Sequence, residues 1–477
     1  MKLGLLGLGV VALAMRCWRA WDLVWDPDDA LHYLIARQED WWRESLPDNH
    51  PPLYYGMLHW VLRVSDADWA QRSVGIVAGS LTPLVVYQWL KERGEEVGGW
   101  LALGVLALSP NLVDQSCQLR GYVPALFLAS VALLFLERAL REGSGRWMAA
   151  SGVMLYLTLL TEHNGAFAAV ALGMYGVVRW GEMGRTLRKA WVGVQVGGVG
   201  VAAAIAWWIV KPYRGYVAQN AAGEGYLAGG VWQDGQNPWR FAVKAVGAQF
   251  AYLGSGLEVG VLLGLLGLVG VWAAGRQGVL VGVPLGMGVM LGMLKWHPFG
   301  YSRHSMMLGL FCIAGAGWGW NKLLKDRMAL GRGLAAGVAV AMCLLVKPHH
   351  QVVEGEQAKK SLVVVGMKQG LAALPAGAKL LTDRETALLL RVYLGKEEPG
   401  FTRWDMKRSF RIGPKRIEVM CRRWSFRVPQ DVEEDARRLG LEGEEVWVMD
   451  GGFQVMDGVP ERVRRLGPRL VLYRFGA

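Results

Sequence analysis

GLEVGVLLGLLGLVGVWAA runs from Gly256 to Ala274, and GVLVGVPLGMGVMLGML follows from Gly278 to Leu294 after the short break Gly275-Arg276-Gln277. Across both runs and the break, only Glu258 and Arg276 carry a charge. Each run has the length of a helix that crosses a bilayer, about 17–25 residues. Apolar residues occur all round the helical wheel, as in a helix surrounded by lipid or by other apolar helices. Two such runs three residues apart predict a membrane hairpin.

The same pattern extends in both directions. Further apolar runs lie near 73–90, 97–113, 121–136, 147–162, 165–178, 191–210, 303–320 and 330–346, and a shorter one at 3–15 opens the chain. A cleaved leader is the competing reading of that first run. It is followed by Arg16-Cys17-Trp18-Arg19 rather than by a small-x-small cleavage pattern, so it is taken as an uncleaved span. About eleven spans result, which places the two ends of the chain on opposite sides of the membrane. The fold class expected is an α-helical polytopic membrane protein with a small soluble α/β domain at its C-terminus.

Charge divides the chain in the same place. Of the 92 Asp, Glu, Lys and Arg residues in 477, residues 1–346 hold 50 and residues 347–477 hold 42. The expected domains are therefore 1–346 in the membrane and 347–477 in water. Only 19% of residues are charged and 53% are hydrophobic, which excludes a disordered chain. Cys17, Cys117, Cys312, Cys343 and Cys421 show no metal-ligand spacing, and no disulfide framework is expected. The net charge of +12 is spread over both parts. It points to anionic lipid rather than nucleic acid.

Basic residues set the orientation. With the N-terminus in the cytoplasm, the inner loops carry Lys91, Arg93, Arg138, Arg141, Arg146, Arg179, Arg185, Arg188, Lys189, Arg276, Lys322, Lys325 and Arg327. The outer loops are longer and less basic, the largest being 16–72 and 211–255. Trp18, Trp21, Trp25, Trp41, Trp42 and Trp60 crowd the first, as in a segment lying among lipid headgroups. In the tail, Ala378–Thr382, Val446–Met449 and Leu470–Tyr473 predict strands, and Glu385–Leu394 and Asp431–Leu439 predict helices. Arg416–Arg427 fits one strand or a hairpin. Asp383 ends a strand, a place where α/β domains often bind ligands.

The first outer loop holds the densest polar signal. Trp25-Asp26-Pro27-Asp28-Asp29-Ala30-Leu31-His32-Tyr33 puts three carboxylates within four residues, and Asp48-Asn49-His50-Pro51-Pro52-Leu53-Tyr54-Tyr55 follows. Neighbouring carboxylates repel and raise at least one pKa. They could hold a divalent cation such as Mg or Mn through Asp28 and Asp29, or supply a general base. The structural alternative is that Asp28 or Asp29 caps a helix starting near Ala30. Pro51 and Pro52 give the next helix a rigid start that would aim Asn49 and His50 at a fixed point. A merely solvated loop histidine is the plainer reading of His50.

Asp28-Asp29-x-x-x-Tyr33 followed by His50-Pro51-Pro52-Leu53-Tyr54-Tyr55 resembles the GT-C membrane glycosyltransferases. The branch is the one related to protein O-mannosyltransferases and lipid A aminoarabinose transferases. Leu108-Ser109-Pro110, Ser116-x-Gln118-x-Arg120-x-Tyr122, Thr161-Glu162-His163 and Tyr301-Ser302-Arg303-His304 continue the likeness over roughly residues 1–320. The resemblance implies an inverting transfer from a polyprenyl-phosphate sugar on the extracytoplasmic face. The acceptor would be a hydroxyl or phosphate on a lipid, glycan or protein. By position, Asp28 would be the base, with Asp29 in place of the family's Glu. His50 would lie near the donor phosphate with Arg120 and Arg303, and Asn49, Tyr33, Tyr122 and His163 would line the substrate site.

The departures are specific. Asp29 is one methylene shorter than Glu, His50 is a weaker phosphate clamp than Lys, and Gln118 stands where many relatives have an acid. The Trp-Trp-Asp signature of oligosaccharyltransferases is absent from the chain. Loop 211–255 has a Gly-rich middle and fits either a lid over the donor or a solvated loop with an amphipathic helix at Pro238–Tyr252. Lys295 and His297 fit either phosphate contact or the membrane interface. A transporter or a membrane assembly protein is the rival reading. A transporter would place charged residues inside the spans, and these are nearly free of charge. The expected location is the bacterial inner membrane, with the tail outside.

Overall fold

The computed structural model describes residues 2–21, 23–45, 50–221, 230–300, 302–345, 360–395, 409–421, 429–441, 445–450, 464–465 and 471–476. The chain separates into two compact units. The first comprises Met1–Ala20 and Ser45–His349, and the second comprises Trp21–Glu44 and His350–Ala477. The first-loop stretch from Trp21 thus groups with the C-terminal residues.

Every apolar run of the first unit is helical. In chain order the helices are α1 (Lys2–Ala20), α2 (Pro27–Ala36), α3 (Trp41–Ser45), α4 (Pro52–Val64), α5 (Asp68–Glu92), α6 (Glu96–Leu108), α7 (Pro110–Ser116) and α8 (Tyr122–Glu142). They continue as α9 (Gly145–Thr161), α10 (Gly165–Val178), α11 (Arg185–Ala221), α12 (Pro238–Gly254), α13 (Leu257–Ala274), α14 (Val279–Met293), α15 (Met306–Leu324) and α16 (Met328–Leu345). Among the described residues, Asp68–Glu92, Tyr122–Glu142, Arg185–Trp207 and Leu257–Met293 are long and apolar enough to cross a membrane by length and composition. The pair α6 and α7, bent by 56° at Pro110, adds a fifth. Proline at that position cannot donate into the preceding turn, so the chain changes direction there.

The bundle closes around α15, whose residues Met306–Trp320 are all buried. Two glycines permit this. A Cβ at Gly270 of α13 would lie 1.9 Å from the Gly315 carbonyl oxygen, and one at Gly319 would lie 2.0 Å from that of Leu266. Only bare backbone lets these helices meet, the usual way apolar helices gain contact in lipid. Leu265, Leu268 and Trp272 on the far side of α13, and Val196, Val199 and Trp207 on α11, are exposed, as on a lipid-facing surface.

One expectation changes here. Helix α11 continues to Ala221 rather than ending near 210. At 37 residues it is about 55 Å long, well beyond the roughly 30 Å apolar core of a bilayer. The Gly-rich residues 222–229 lie outside the described residues. The amphipathic helix at Pro238 forms as expected, as α12. Asn237 caps it by accepting from the Arg240 amide at 3.1 Å.

The second unit is a six-stranded mixed sheet in the order β2-β3-β1-β4-β6-β5. Its strands are β1 (Lys379–Thr382), β2 (Phe410–Ile412), β3 (Ile417–Cys421), β4 (Glu445–Asp450), β5 (Arg464–Arg465) and β6 (Val471–Gly476). Central β1 pairs in parallel with β3 and β4, while β2–β3, β4–β6 and β5–β6 are antiparallel. Leu381, Val432, Ala436, Val446 and Val448 form its core with Leu441. Segment 416–427 resolves into the second strand of a hairpin, and residues 422–428 lie outside the described residues. Asp383 accepts from the Thr386 amide at 2.6 Å and caps the helix Arg384–Leu394. An aspartate at that position is an ordinary helix cap.

Helix α2 packs in this unit. Trp25 is fully buried rather than lying among headgroups. Its ring stands 5.0 Å from that of Tyr33 and 5.8 Å from that of Tyr393, and its amide donates to Tyr393 Oη at 2.8 Å. Trp18, Trp21 and Trp60 are largely exposed, in keeping with the interfacial expectation.

Candidate active site

Within the second unit, the acidic loop becomes the first turn of α2. The cap is Asp26, whose Oδ1 accepts from the Asp28 amide at 3.0 Å, and Pro27 occupies the first helical position. This corrects the expected cap at Asp28 or Asp29. Proline suits that position because its missing N–H would be unsatisfied anyway. Asp28 and Asp29 are thereby left in the first turn, where the helix dipole favours negative charge. Asp28 is half-buried, while Asp29 and Tyr33 are fully buried. Arg37, one turn on, donates to Tyr33 Oη at 3.2 Å.

A second polar centre forms within the helical unit where four connections meet. His50 precedes α4, whose cap is Pro51 and whose first residue is Pro52. Its backbone is thus set by two consecutive prolines. Arg120 and Tyr122 come from the turn between α7 and α8, and both are buried. Gly121 stands between them for a steric reason: a Cβ there would lie 2.6 Å from the Thr161 carbonyl oxygen. The absence of a side chain lets this turn press against the end of α9. There the chain leaves the helix at Glu162, which has extended backbone angles and is 1% exposed. His163 follows it.

Glu162 is the hub. Its Oε2 lies 3.3 Å from His50 Nδ1, and its Oε1 lies 2.8 Å from His163 Nδ1. Burial works to raise the Glu162 pKa, but His163 and His50 hold the carboxyl well below its usual range. The ligating atoms of His50, Glu162 and His163 all lie within 4.8 Å of one another. This is the sole group of metal-ligand type among the described residues.

Two more histidines surround this hub. The His297 ring is 6.4 Å from that of His163 and 5.4 Å from that of Phe167. Burial, aided by His163, pushes the His297 pKa down to about 3, so the ring is neutral. His304, in the turn Arg303–Ser305 before α15, shares a 3.0 Å hydrogen bond between its Nδ1 and Tyr122 Oη. Burial and the neighbouring Arg303 push the His304 pKa well down. Four of the chain's eight histidines therefore gather in one place.

His50, Tyr122 and His163 thus come together, with Arg120 and Arg303 in the adjoining turns. Asn49 and Tyr301 lie outside the described residues. The sequence marked Glu162 and His304 only as parts of family-like motifs, and left His297 between phosphate contact and the membrane interface. The available signal was their position: each is an ionisable side chain at the edge of a long apolar run. Asp114 was missed altogether. It is buried in α7, forms an ion pair with Arg19 at 2.6 Å and accepts from Gln118 at 3.3 Å. The acid lies one turn before Gln118. Lys295 pairs with Asp234 at 3.0 Å and lies over the Trp232 ring, as at a membrane interface.

Beside the histidines lies an apolar cavity of about 410 Å³. Leu159, Phe167, Ile205, Met287 and Leu291 line it, and His163, Asn164 and His297 are polar residues of the same lining.

The fold is that of the GT-C membrane glycosyltransferases. Residues 49–209 match the profile of the family described as dolichyl-phosphate-mannose-protein mannosyltransferase. Among solved structures, the chain is similar to ArnT from Cupriavidus metallidurans in the apo state, with a TM-score of 0.54 at 12% identity over 99% of this chain and 98% of that one. ArnT bound to undecaprenyl phosphate matches with the same values. The archaeal oligosaccharyltransferase AglB from Archaeoglobus fulgidus, in complex with an inhibitory peptide and a dolichol-phosphate, has a TM-score of 0.50 at 11% identity over 94% of this chain and 69% of that one. No curated protein matches the chain. At these identities the likeness establishes the fold.

Proposed function

We propose that the protein is a membrane glycosyltransferase. It transfers a sugar from a polyprenyl-phosphate carrier to an acceptor hydroxyl or phosphate on the extracytoplasmic face of the bacterial inner membrane. The observation that carries this reading is the mostly apolar cavity of about 410 Å³ whose lining includes His163, Asn164 and His297, His163 being in contact with Glu162 and His50. A mostly apolar cavity with a few polar side chains in its wall suits an amphiphile with an isoprenoid chain and an anionic head. The solved relatives named with undecaprenyl phosphate and dolichol-phosphate share the fold.

Orientation supports the same reading. Helix α8 starts at Tyr122 in the site and ends near Arg138 and Arg141, and α9 returns to Glu162. The site and these basic residues are therefore at opposite ends of the bundle. The positive-inside rule puts the site outside.

In the reaction, the acceptor oxygen attacks the anomeric carbon on the face opposite the carrier. The bond from that carbon to the phosphate oxygen breaks, and polyprenyl phosphate leaves with the electron pair. Asp28 accepts the acceptor proton, and Asp29 orients the acceptor. His50, Arg120 and Arg303 stabilise the phosphate charge, and the arginine fork can donate two hydrogen bonds. Alignment of both reactants contributes several kcal/mol towards lowering the barrier.

The test is release of polyprenyl phosphate from a panel of lipid-linked sugars by the purified protein in lipid nanodiscs. Turnover with one donor, lost in Asp28→Asn and Arg120→Gln while the folded protein is retained, is the expected result. Normal turnover in Asp28→Asn would remove the base assignment. No turnover with any donor would remove the transfer reading.

A further inference from the structure

We propose that His50, Glu162 and His163 bind one cation of the Zn2+ class. The ligands are His50 Nδ1, the Glu162 carboxylate and His163 Nδ1. The ligand set shares no residue with the aspartates of α2, and cation binding does not depend on the transfer reading.

The geometry is that of one coordination sphere. Around a tetrahedral Zn2+, bonds of about 2.0–2.1 Å place neighbouring ligand atoms about 3.3 Å apart. Here His50 Nδ1 and Glu162 Oε2 are 3.3 Å apart, His163 Nδ1 and Glu162 Oε1 are 2.8 Å apart, and all three groups fall within 4.8 Å.

Glu162 Oε1 is buried, with the His163 ring nitrogen 2.8 Å away. A shared cation would let each of these atoms direct a lone pair at the metal.

The protein holds the ligands in place before any metal arrives. His50 is fixed by the Pro51-Pro52 start of α4. Glu162 and His163 sit in the tight connection from α9 to α10, where Gly165 already returns to helix. Second contacts surround the rings: His50 has Tyr122 at 6.4 Å, and His163 has His297 at the same distance. Two nitrogens and one carboxylate favour Zn2+ over Mg2+ or Ca2+, which prefer all-oxygen sets. Three protein ligands leave a fourth position for water or a substrate oxygen, the pattern of catalytic rather than structural zinc.

The experiment uses the full-length protein without a histidine tag, stripped with chelator and then titrated with ZnCl2. Metal content is read by mass spectrometry and affinity by calorimetry. One Zn2+ per chain is expected, with affinity at least tenfold weaker in Glu162→Gln and His163→Ala. The variant H349A/H350A, which removes the chain's adjacent histidine pair, is expected to bind normally. Unchanged binding in Glu162→Gln, lost binding in H349A/H350A, or no binding at micromolar Zn2+ overturns the proposal. Should the site variants fail to fold, Co2+ added to the unaltered protein decides. Intense visible bands of a four-coordinate ion are expected, and a weak six-coordinate spectrum or none overturns the assignment. Because the readout is binding, a missing metal and a missing transfer activity are told apart.

Discussion

Tyr122 Oη and His304 Nδ1 share a hydrogen bond of 3.0 Å across 182 residues of chain, joining the first turn of α8 to the turn that precedes α15. Both side chains belong to the wall of the polar centre. Tyr122→Phe deletes the hydroxyl and keeps the ring. Loss of about 1–2 kcal/mol of stability is expected, the usual effect of removing one partner of a buried hydrogen bond. Thermal unfolding followed by intrinsic fluorescence checks this, and an unchanged midpoint would show that the bond contributes nothing. Under the transfer reading, turnover falls further than stability alone explains.

Gly121 is the steric hinge of the same wall. Its virtual Cβ would lie 2.6 Å from the Thr161 carbonyl oxygen and 3.6 Å from Glu162 Oε2. Gly121→Ala therefore pushes the turn carrying Arg120 and Tyr122 away from Glu162. A cost of about 1–3 kcal/mol is expected, as for other overpacked sites. Gly121→Val is expected to cost more. The ranking Gly, Ala, Val in thermal midpoint is the measurement, and an Ala variant as stable as the parent would contradict the close approach.

Gly270 and Gly319 make a separate prediction in the bundle core. Their approach to the backbone of α15 and α13 leaves no space for a methyl group. Gly270→Leu or Gly319→Leu is expected to stop the helices from packing, so that no monodisperse protein elutes from size exclusion in detergent. Gly282, whose virtual Cβ meets nothing within 4 Å, is the control: Gly282→Ala should elute normally.

The helical half was legible because a lipid-exposed helix must be apolar over its whole crossing, so composition alone locates it. The tail's main strands were legible from short β-branched runs between turn residues. What escaped was decided by competition or by distant contact. Asp26, Asp28 and Asp29 each satisfy a cap pattern. Asp26 takes the role because Pro27, lacking an N–H, fits the first helical position, which puts the cap one residue before it. Trp25 looked interfacial but is buried against Tyr393, a partner 368 residues away that no local pattern encodes. His50, Arg120 and Tyr122 were visible as polar residues at the ends of apolar runs. Their convergence with Glu162, His297 and His304 depends on how α4, α8, α9 and α15 pack, and periodicity carries no information on that.

His297 gives the fold a pH dependence whose sign follows from its burial. In the folded protein its pKa is down at about 3, while an unfolded histidine titrates near its ordinary value of about 6.5. Between these values the unfolded chain binds a proton that the folded chain refuses. Stability therefore rises with pH across that window and is lost as pH falls below about 6.5. His304, also pushed down by burial, adds in the same direction. Glu162 adds no slope there: its pKa is depressed, so its contribution is lost only as pH falls from the ordinary carboxylate range downwards. The slope from His297 alone approaches one proton, about 1.4 kcal/mol per pH unit at most. Chemical unfolding at pH 7.5, 6 and 5 measures it. His297→Gln is expected to flatten the dependence by up to one proton. The parent's slope persisting in that variant would mean that His297 is protonated in the folded state.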